Sequence, residues 1–429
     1  MTPDHWQRRI ESWQSHGRLP SVVAGVLREG EPAWVGSAGE VPGDPADVQY
    51  RIGSITKTFV AVAVLQCRDE GLLGLDDRLA RFVPESGYAD STLQSLLAHT
   101  SGMQSEPVGS WWERSPGVEL TTLMERNDGS GAVAGAGDYF HYSNLGFALL
   151  GEVVARVRGA SWWEVVQQRL LAPLGLERTS YDAVAPHAQG HSVDHFRGTL
   201  TREPHQDTGA MAPAGQLWST VTDLARWARF LAEGHPDVLG LGSMREMATP
   251  VPPADDYGLG LRVLRPGGRT LVGHTGGMPG FLASIFVDPA TRDGFVVLTN
   301  ATTGFDADTH PLALLCDEPV AASAPWVPTE QMPTEVAAMP GLWFWGNTAV
   351  EARWHNGTLE LHDLALHLRA EVFELRDGRL VGVDGYHRGE TLHVVRRDDG
   401  SVSHLECATF VYTRVPYDPG APIPGGRPS

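Results

Sequence analysis

The chain contains a single lysine, and that lysine lies three residues after a serine. Lys57 is the only lysine among the 33 Lys and Arg residues of the sequence. A helix that begins at Ser54 would place Ser54 and Lys57 on one face, because residues three apart are neighbours on a helix. A serine hydroxyl becomes a nucleophile when a neighbouring base takes its proton. A desolvated lysine can be that base, whereas arginine stays protonated. The pair therefore indicates nucleophilic acyl transfer.

The residues after this pair favour chemistry over coincidence. A lone Ser-x-x-Lys pattern also arises by chance with a surface lysine, so the motif is weak by itself. Here the pair precedes the apolar run Phe59–Leu65, and the distance from Ser54 to a stop at Gly71 predicts a buried helix rather than a strand. Free N–H groups at the start of that helix would suit an oxyanion.

A second motif, Tyr142-Ser143-Asn144, stands in the stretch FHYSNLGFALLGE. A tyrosine whose pKa is lowered by nearby cations can act as a general base, and an asparagine amide can hold a substrate carbonyl. In isolation the same pattern is a turn with a helix cap.

A third motif, His274-Thr275-Gly276-Gly277, follows a predicted strand at Thr270–Gly273. Small residues there would let a substrate backbone lie along the strand edge. The Gly277 N–H is a candidate second donor to an oxyanion. Alone, the motif is a glycine-rich strand end.

Ser-x-x-Lys, Tyr-x-Asn and His-Thr-Gly, in that order, resemble the serine hydrolases of the β-lactamase and penicillin-binding-protein superfamily. The resemblance is to the class C-like, D-alanyl-D-alanine-peptidase-like branch. The stretches LLAHTSGM, MAPAGQLWST and GHTGGMPGF reinforce it. It covers about residues 15–315 and implies a site made of Ser54, Lys57, Tyr142, Asn144, His274, Thr275, Gly276 and Gly277.

The resemblance also implies the roles of these residues. Ser54 would be the acylated nucleophile, Lys57 its partner base, and Tyr142 the group that passes protons to the leaving group and acceptor. Asn144 would bind the acyl-side amide of the substrate. His274 would orient Tyr142 and the substrate end, and Thr275 would help to bind that end. The N–H groups of Ser54 and Gly277 would form the oxyanion hole, beside Gly276.

The elements that must position this site form an α+β fold. Strands predicted at Ser21–Leu27 and Ala33–Gly39 begin the chain, and strands at Phe281–Val287 and Phe295–Asn300 follow the third motif. Helical patterns lie between them. The sequence therefore predicts one antiparallel sheet built from both ends of a domain at 1–317, flanked by helices and a helical subdomain, as in β-lactamases and transpeptidases.

The C-terminal part has a different pattern. An Ala- and Pro-rich stretch predicts a linker at 318–340. Short alternating segments then follow, with hairpin signals at Asn356-Gly357, Asp377-Gly378 and Asp399-Gly400. These predict a small antiparallel barrel at 341–417, similar to lipocalin-like domains, and an irregular tail at 418–429.

Composition and charge exclude several classes of partner. The formal net charge is −19, which disfavours nucleic acid and anionic membranes. The sequence has no signal-peptide pattern and no long apolar run, so a cytoplasmic location is expected. The three cysteines match no metal-ligand spacing. His187, His191 and His195 lie among Pro186 and Gly190, and are expected to be loop histidines. No metal or cofactor is therefore expected.

The predicted chemistry is two-step acyl transfer. The molecule that accepts the acyl group from the acyl-enzyme determines the class of enzyme. Water gives an esterase or peptidase, and an amine gives a transpeptidase or peptide cyclase. The sharpest hypothesis is a stand-alone thioesterase/macrocyclase that releases nonribosomal peptides with a C-terminal D-residue. The alternatives are a generic esterase, a D-amino-acid-specific peptidase, and a non-turnover sensor of β-lactams or peptides. The expected partner is a small-molecule or peptidyl substrate, free or delivered by a carrier protein.

Overall fold

The structure is a computed structural model that describes residues 1–416. The tail predicted for 418–429 lies outside the described residues. The chain forms two compact units: Met1–Ser192 with Arg202–Pro325, and Val193–Thr201 with the chain from Trp326 onward. The boundary at Pro325 falls inside the predicted linker. Within the described residues, no helix is both long and apolar enough to cross a membrane.

A six-stranded antiparallel sheet forms the centre of the first unit, in the order β2-β1-β10-β9-β8-β7. The strands up to Thr299 are β1 (Ser21–Arg28), β2 (Glu31–Gly39), β3 (Tyr50–Arg51), β4 (His191–Val193), β5 (Leu200–Arg202), β6 (Trp218–Ser219), β7 (Arg262–Leu264), β8 (Leu271–Met278), β9 (Phe281–Val287) and β10 (Gly294–Thr299). β1 pairs with β10 from Val22↔Thr299 to Leu27↔Gly294. The predicted α+β sheet built from both ends of the domain is confirmed.

Helix α1 (Pro3–Gly17) precedes β1, and the other helices lie between the two ends of the sheet in sequence. These are α2 (Thr56–Asp69), α3 (Leu93–Leu97), α4 (Leu120–Arg126), α5 (Asn144–Arg158), α6 (Trp162–Val166), α7 (Ala172–Leu174), α8 (Ala212–Gly215), α9 (Val221–Glu233) and α10 (Leu241–Met247). Short 3₁₀ turns lie at Gly53–Ile55, Leu79–Arg81, Pro266–Gly268 and His310–Leu315, and a π-helical turn lies at Gln167–Leu171.

Helix α2 is the buried centre of this unit. All its side chains from Thr56 to Cys67 are buried, the apolar run Phe59–Leu65 together with the polar Thr56, Lys57, Thr58 and Gln66. Phe59 stacks on Trp227 of α9 with ring centroids 3.8 Å apart, and the Trp227 indole donates a 2.9 Å hydrogen bond to Thr58. Helix α9 begins at a cap in which Thr220 accepts from the Asp223 N–H. The element that carries Lys57 is thus held in place by α9.

The second unit contains a closed antiparallel barrel of eight strands. They are β11 (Gly341–Trp345), β12 (Thr348–His355), β13 (Thr358–Asp363), β14 (Leu368–Arg376), β15 (Arg379–Gly385), β16 (Thr391–Arg396), β17 (Val402–Cys407) and β18 (Phe410–Thr413). The predicted hairpin at Asn356-Gly357 is present, with φ of 47° and 81° at its two residues, as a primed turn requires. The predicted antiparallel barrel is confirmed, and its likeness to lipocalins stays a prediction.

One segment of the predicted domain at 1–317 packs with the barrel instead. Val193–Thr201 belongs to the second unit. Backbone hydrogen bonds from Trp354 to Phe196 and from Thr329 to Gly198 hold it there. The packing of this segment with the barrel was not predicted, because its local sequence does not differ from that of an ordinary loop.

Candidate active site

Ser54 lies in the 3₁₀ turn Gly53–Ile55, which leads directly into α2. Strand β8 approaches this turn so closely that two glycines are required. A Cβ at Gly53 would lie 2.6 Å from the Gly277 nitrogen, and one at Gly276 would lie 1.9 Å from the Ile52 carbonyl oxygen. The glycines of the third motif therefore bring the Gly277 N–H beside the serine, where an oxyanion donor is needed.

Lys57 is fully buried beneath Ser54. Its Nζ lies 2.9 Å from Ser54 Oγ and 2.6 Å from the carbonyl oxygen of Ala214. Burial lowers the pKa of Lys57 to about 7, although the negative charges of Glu106 and Glu113 act in the opposite direction. Near neutral pH the amine is therefore available as an unprotonated base. The i,i+3 prediction holds in space, although α2 begins two residues later than predicted.

Tyr142 and Ser54 line one cavity. The centroid of the Tyr142 ring lies 5.1 Å from Lys57 Nζ. Its hydroxyl is hydrogen-bonded to Ser54, but burial outweighs that contact and raises the pKa of Tyr142. The expectation that nearby cations lower this pKa is wrong, because desolvation of the phenol outweighs the lowering effect of the Arg262 charge. Tyr142 therefore remains a neutral phenol, able to accept one proton as it gives up another.

Asn144 begins helix α5, and its amide is held in one orientation by a residue that the motifs did not indicate. Asn144 Nδ2 donates to Glu106 at 2.6 Å, and the Trp112 indole donates to the other oxygen of Glu106 at 2.7 Å. Asn144 Oδ1 is buried without a hydrogen-bond partner. The free atom is thus an acceptor suited to a substrate N–H, and not a donor for a substrate carbonyl.

His274 is buried and takes part in a chain of hydrogen bonds. Its Nε2 lies 3.0 Å from the hydroxyl of Tyr257, and that hydroxyl lies 3.2 Å from Nε2 of His99. At the far end, the backbone N–H of Ser143 donates to His99 Nδ1 at 3.0 Å. At the near end, His274 Nδ1 faces the carbonyl oxygen of Thr275.

The two backbone contacts set the direction of every proton in this chain. Because Ser143 N–H donates to Nδ1 of His99, Nε2 of that ring carries the hydrogen and donates to Tyr257. Tyr257 then donates to His274, whose Nδ1–H donates to its backbone acceptor. Burial lowers the pKa of His274 to about 3 and that of His99 well below its usual range, so both rings stay neutral.

Two residues of this chain of hydrogen bonds, His99 and Tyr257, were not among the predicted site residues. His99 has a left-handed backbone, with φ of 56°, and lies in the stretch LLAHTSGM. Its ring lies 4.2 Å from the ring of Tyr142. Tyr257 belongs to no motif, and only the folded chain brings it between the two histidines.

A cavity of about 330 Å³ opens above these groups. The residues lining it are Ser54, Phe140, Tyr142, Asp256, Tyr257, Arg262, His274, Thr275 and Gly277. Arg262 was not predicted; its guanidinium donates to Thr275 Oγ1 at 3.1 Å and forms a salt bridge with Asp308. The two charged side chains of the lining, Asp256 and Arg262, have opposite signs.

The histidines that were set aside do not converge on a common point. The His187 ring packs against Trp218 with centroids 5.7 Å apart, and His195 pairs with Glu351. The three side chains have separate surroundings, and His191 lies in strand β4 and not in the expected loop.

The buried Ser-x-x-Lys pair, at the start of a central helix beside an antiparallel sheet, defines a serine hydrolase of the acyl-enzyme class. A family model described as Beta-lactamase matches residues 6–316, and the chain belongs to this family. A second model, described as a domain of unknown function (DUF7586), matches residues 332–414.

Two relatives show the range of the family. Penicillin-binding protein 4 of Amycolatopsis lactamdurans is 26% identical over 370 residues, which cover 79% of this chain and 96% of that protein. Beta-lactamase-like protein 2 of Dictyostelium discoideum is 28% identical over 265 residues, or 56% of this chain. The match covers 48% of the Dictyostelium protein, so the chain spans about half the length of that relative.

Two solved structures are similar to this chain. A D-stereospecific amidohydrolase from Streptomyces sp. is 28% identical with a TM-score of 0.63, covering 74% of this chain and 100% of that one. A structure of SurE is 23% identical with a TM-score of 0.62, covering 96% of this chain and 99% of that one. At 23% identity, the similarity to SurE shows the fold alone.

The lowered pKa of Lys57 predicts an acid limb in the activity profile. Lys57 must be neutral to accept the Ser54 proton, so kcat/KM for an activated ester should fall about tenfold per pH unit below a midpoint near pH 7. The check is a pH–rate profile of the wild type, with Lys57→Arg as an inactive control. A flat profile between pH 5.5 and pH 8 would contradict the role of Lys57.

The neutral His274 predicts a loss of stability in acid. Its folded-state pKa of about 3 lies below that of an unfolded histidine, so the unfolded chain binds a proton that the folded chain does not. This contribution is fully present above pH 6.5 and declines by up to about 1.4 kcal/mol per pH unit as the pH falls toward 3.

The measurement is the free energy of unfolding against pH for the wild type and His274→Gln. The variant should show a shallower acid slope, and the surface variant His16→Gln should keep the slope of the wild type. Identical slopes for all three proteins would show that folding does not lower the pKa of His274.

Proposed function

We propose that the chain forms an acyl-enzyme on Ser54 from peptide-like thioesters, esters or amides. The sharpest form of this proposal is a stand-alone thioesterase/macrocyclase that releases nonribosomal peptides ending in a D-residue. The observation that carries the acyl-enzyme is the 2.9 Å contact between Ser54 Oγ and a lysine whose pKa is about 7.

The first step joins Ser54 to the acyl group. Lys57 takes the proton of the hydroxyl as Oγ bonds to the substrate carbonyl carbon, and the N–H groups of Ser54 and Gly277 receive the developing oxyanion. When the tetrahedral intermediate collapses, the bond to the leaving group breaks. The proton on Lys57 passes through the Tyr142 phenol to the departing sulfur, oxygen or nitrogen.

The second step runs in the opposite direction with a new acceptor. Tyr142 accepts the proton of the incoming water or amine and returns a proton toward Lys57, while the acceptor attacks the ester carbonyl. Expulsion of Ser54 Oγ, which regains its proton from Lys57, regenerates the site. Water yields a linear acid, and the amino end of the same substrate yields a cyclic peptide.

Asn144 supports a peptide-like acyl group. Its buried and unpartnered Oδ1 lacks only a donor, and the N–H of a residue next to the reacting carbonyl is such a donor. Glu106 and Glu113 place negative charge near Lys57, which favours a substrate amine in the same region.

The relatives support a D-residue at the reacting carbonyl. One similar structure is named a D-stereospecific amidohydrolase, and another is SurE with D-Leu. The chain matches the SurE structure over almost its whole length, barrel included. Delivery of the substrate by a carrier protein, and a cytoplasmic location, belong to the same proposal.

A D-amino-acid-specific peptidase or a generic esterase is the alternative. Arg262 is a cation in the cavity, and a peptidase could use it to bind a terminal carboxylate. That guanidinium already pairs with Asp308, and Asp256 borders the same space. A carboxylate would have to displace one acid and approach another, so the charges favour a neutral leaving group.

The central test offers linear peptidyl thioesters that differ only in the chirality of the C-terminal residue. The D-thioester should react about 100-fold faster, because an L-residue displaces the reacting carbonyl from Ser54. Cyclic product should dominate over linear acid, and Ser54→Ala should form neither. If several peptides gave linear acid as the sole product, the cyclase proposal would be rejected and the chain would be a hydrolase.

The nucleophile has its own control. An acyl phosphonate should add once to the wild type and not to Ser54→Ala, as read by intact mass spectrometry. An adduct that survives the substitution would reject the acyl-enzyme assignment. Adduct formation with a β-lactam or ester but no turnover of any ester would instead identify a sensor.

Glu106 should control both substrate binding and the base. In Glu106→Gln one oxygen must serve both the Asn144 amide and the Trp112 indole, so the loss of a buried hydrogen bond should lower kcat/KM about 10- to 100-fold. Loss of the charge should also move the acid limb to lower pH, because Glu106 raises the pKa of Lys57.

The matched control is Glu119→Gln, which removes an exposed carboxylate at the start of α4. It should change neither kcat/KM nor the midpoint of the acid limb. If Glu106→Gln lowers kcat/KM without moving the midpoint, the effect of Glu106 is on substrate binding alone.

A further inference from the structure

Three side chains that can bind a metal meet at one end of the barrel. His387 and Glu390 lie in the turn between β15 and β16, and Cys407 is the last residue of β17. One ligand atom from each side chain lies within 4.8 Å of the other two. His387 and Cys407 are buried, and Glu390 is exposed.

The buried histidine has one nitrogen engaged and one without a partner. His387 Nδ1 lies 2.9 Å from an oxygen of Glu371, and the other oxygen of that carboxylate accepts the His387 backbone N–H at 3.1 Å. Nδ1 therefore carries the hydrogen, and Nε2 holds a lone pair. Nε2 is buried without a hydrogen-bond partner, in a side chain that is 1% exposed. An acceptor buried in that position destabilises the fold unless it gains a partner.

We propose that His387, Glu390 and Cys407 bind a zinc ion. An imidazole nitrogen, a thiolate sulfur and a carboxylate oxygen are the three donor types that zinc takes in proteins. Mg²⁺ and Ca²⁺ prefer sites made of oxygen alone. Glu371 supplies the carboxylate that commonly accepts the second N–H of a metal-binding histidine and fixes its ring.

The geometry needs a small movement of one exposed side chain. Ligand atoms around a tetrahedral zinc lie about 3.5 Å apart. His387 Nε2 and the Glu390 carboxylate are 4.0 Å apart, and the Glu390 side chain is 51% exposed. Rotation of that side chain closes the gap, and its exposure provides the path by which the ion enters.

Backbone hydrogen bonds hold the turn between β15 and β16 in a fixed conformation. Gly382 N–H donates to the carbonyl of Glu390, and Gly389 N–H donates to the carbonyl of Gly382, both at 2.8 Å. Gly389 has a φ of 90°, which glycine adopts readily and which lets the chain reverse between the two ligands. The ring of Phe410 packs edge-on against His387 at 4.6 Å and covers the site.

The ion would lie beside one of the two barrel seams that have only two paired positions, the other being β11–β18. β15 and β16 pair only at Leu380↔Leu392 and Val381↔Thr391. Leu392 pairs on its other side with Cys407, so the metal would tie the turn that follows β15 to the end of β17. A zinc here would therefore stabilise the barrel where its backbone pairing is sparse.

The test is metal binding by the full chain. Equilibrium dialysis against Zn²⁺, followed by elemental analysis, should give one tightly held ion per chain. Replacement by Co²⁺ should give a thiolate-to-cobalt charge-transfer absorption. Cys407→Ser should weaken zinc binding at least 100-fold and abolish that absorption, whereas the matched control Cys316→Ser, at an exposed thiol outside the cluster, should leave both unchanged.

Two further variants keep the outcome decisive if Cys407→Ser does not fold. Glu390→Gln changes an exposed side chain and should weaken zinc binding at least tenfold. Glu371→Gln should weaken it about 10- to 100-fold through the orientation of His387. Unchanged zinc affinity in Glu390→Gln, a Co²⁺ complex without thiolate absorption, or equal binding by Cys407→Ser and the wild type would each overturn the proposal. His387 and Glu371 would then serve only to anchor the turn.

Discussion

Lys57 has protein on every side, and water cannot reach its amine to stabilise a charge. Holding that amine neutral at pH 7 costs on the order of 5 kcal/mol relative to an amine in water. The surrounding core supplies this stability: α2 is buried along most of its length and α9 packs against it. A less complete core would admit water, raise the pKa of Lys57 and leave Ser54 without a base.

The neighbours of Lys57 follow from the same constraint. His99, Tyr257 and His274 form a connected polar chain that carries no net charge, because burial keeps both imidazole rings neutral. Backbone groups at both ends fix the tautomers. A cationic imidazole there would repel a proton on Lys57 and would itself be desolvated. This neutral chain of hydrogen bonds holds the wall of the cavity in place. It also gives the buried polar atoms hydrogen-bond partners without adding charge beside Lys57.

Local spacing was sufficient to predict the reactive pair, because Ser54 and Lys57 are three residues apart on one turn. Gly277 was indicated by its glycine-rich motif, and only the packing of β8 against the turn at Gly53 brings it beside Ser54. The α+β class followed from strands at both ends of the domain. Glu106, Tyr257 and Arg262 could not be predicted, since each acts through a partner that is distant in sequence. The pKa of Tyr142 was predicted in the wrong direction because burial is a property of the whole fold. The grouping of Val193–Thr201 with the barrel depends on contacts with no local signature.

Strand β8 has a further property that bears on how broadly the enzyme can act. Its pairing with β7 ends at the Arg262–Gly273 pair, so within residues 1–416 the backbone from His274 to Met278 is paired with β9 on one side only. An extended chain that added to this free edge would be held by main-chain groups, which every peptide possesses. Binding at such an edge depends on the direction and chirality of the backbone and only weakly on the identity of the side chains. One protein could then process a family of products whose sequences diverge, as long as the chirality at the reacting end is kept.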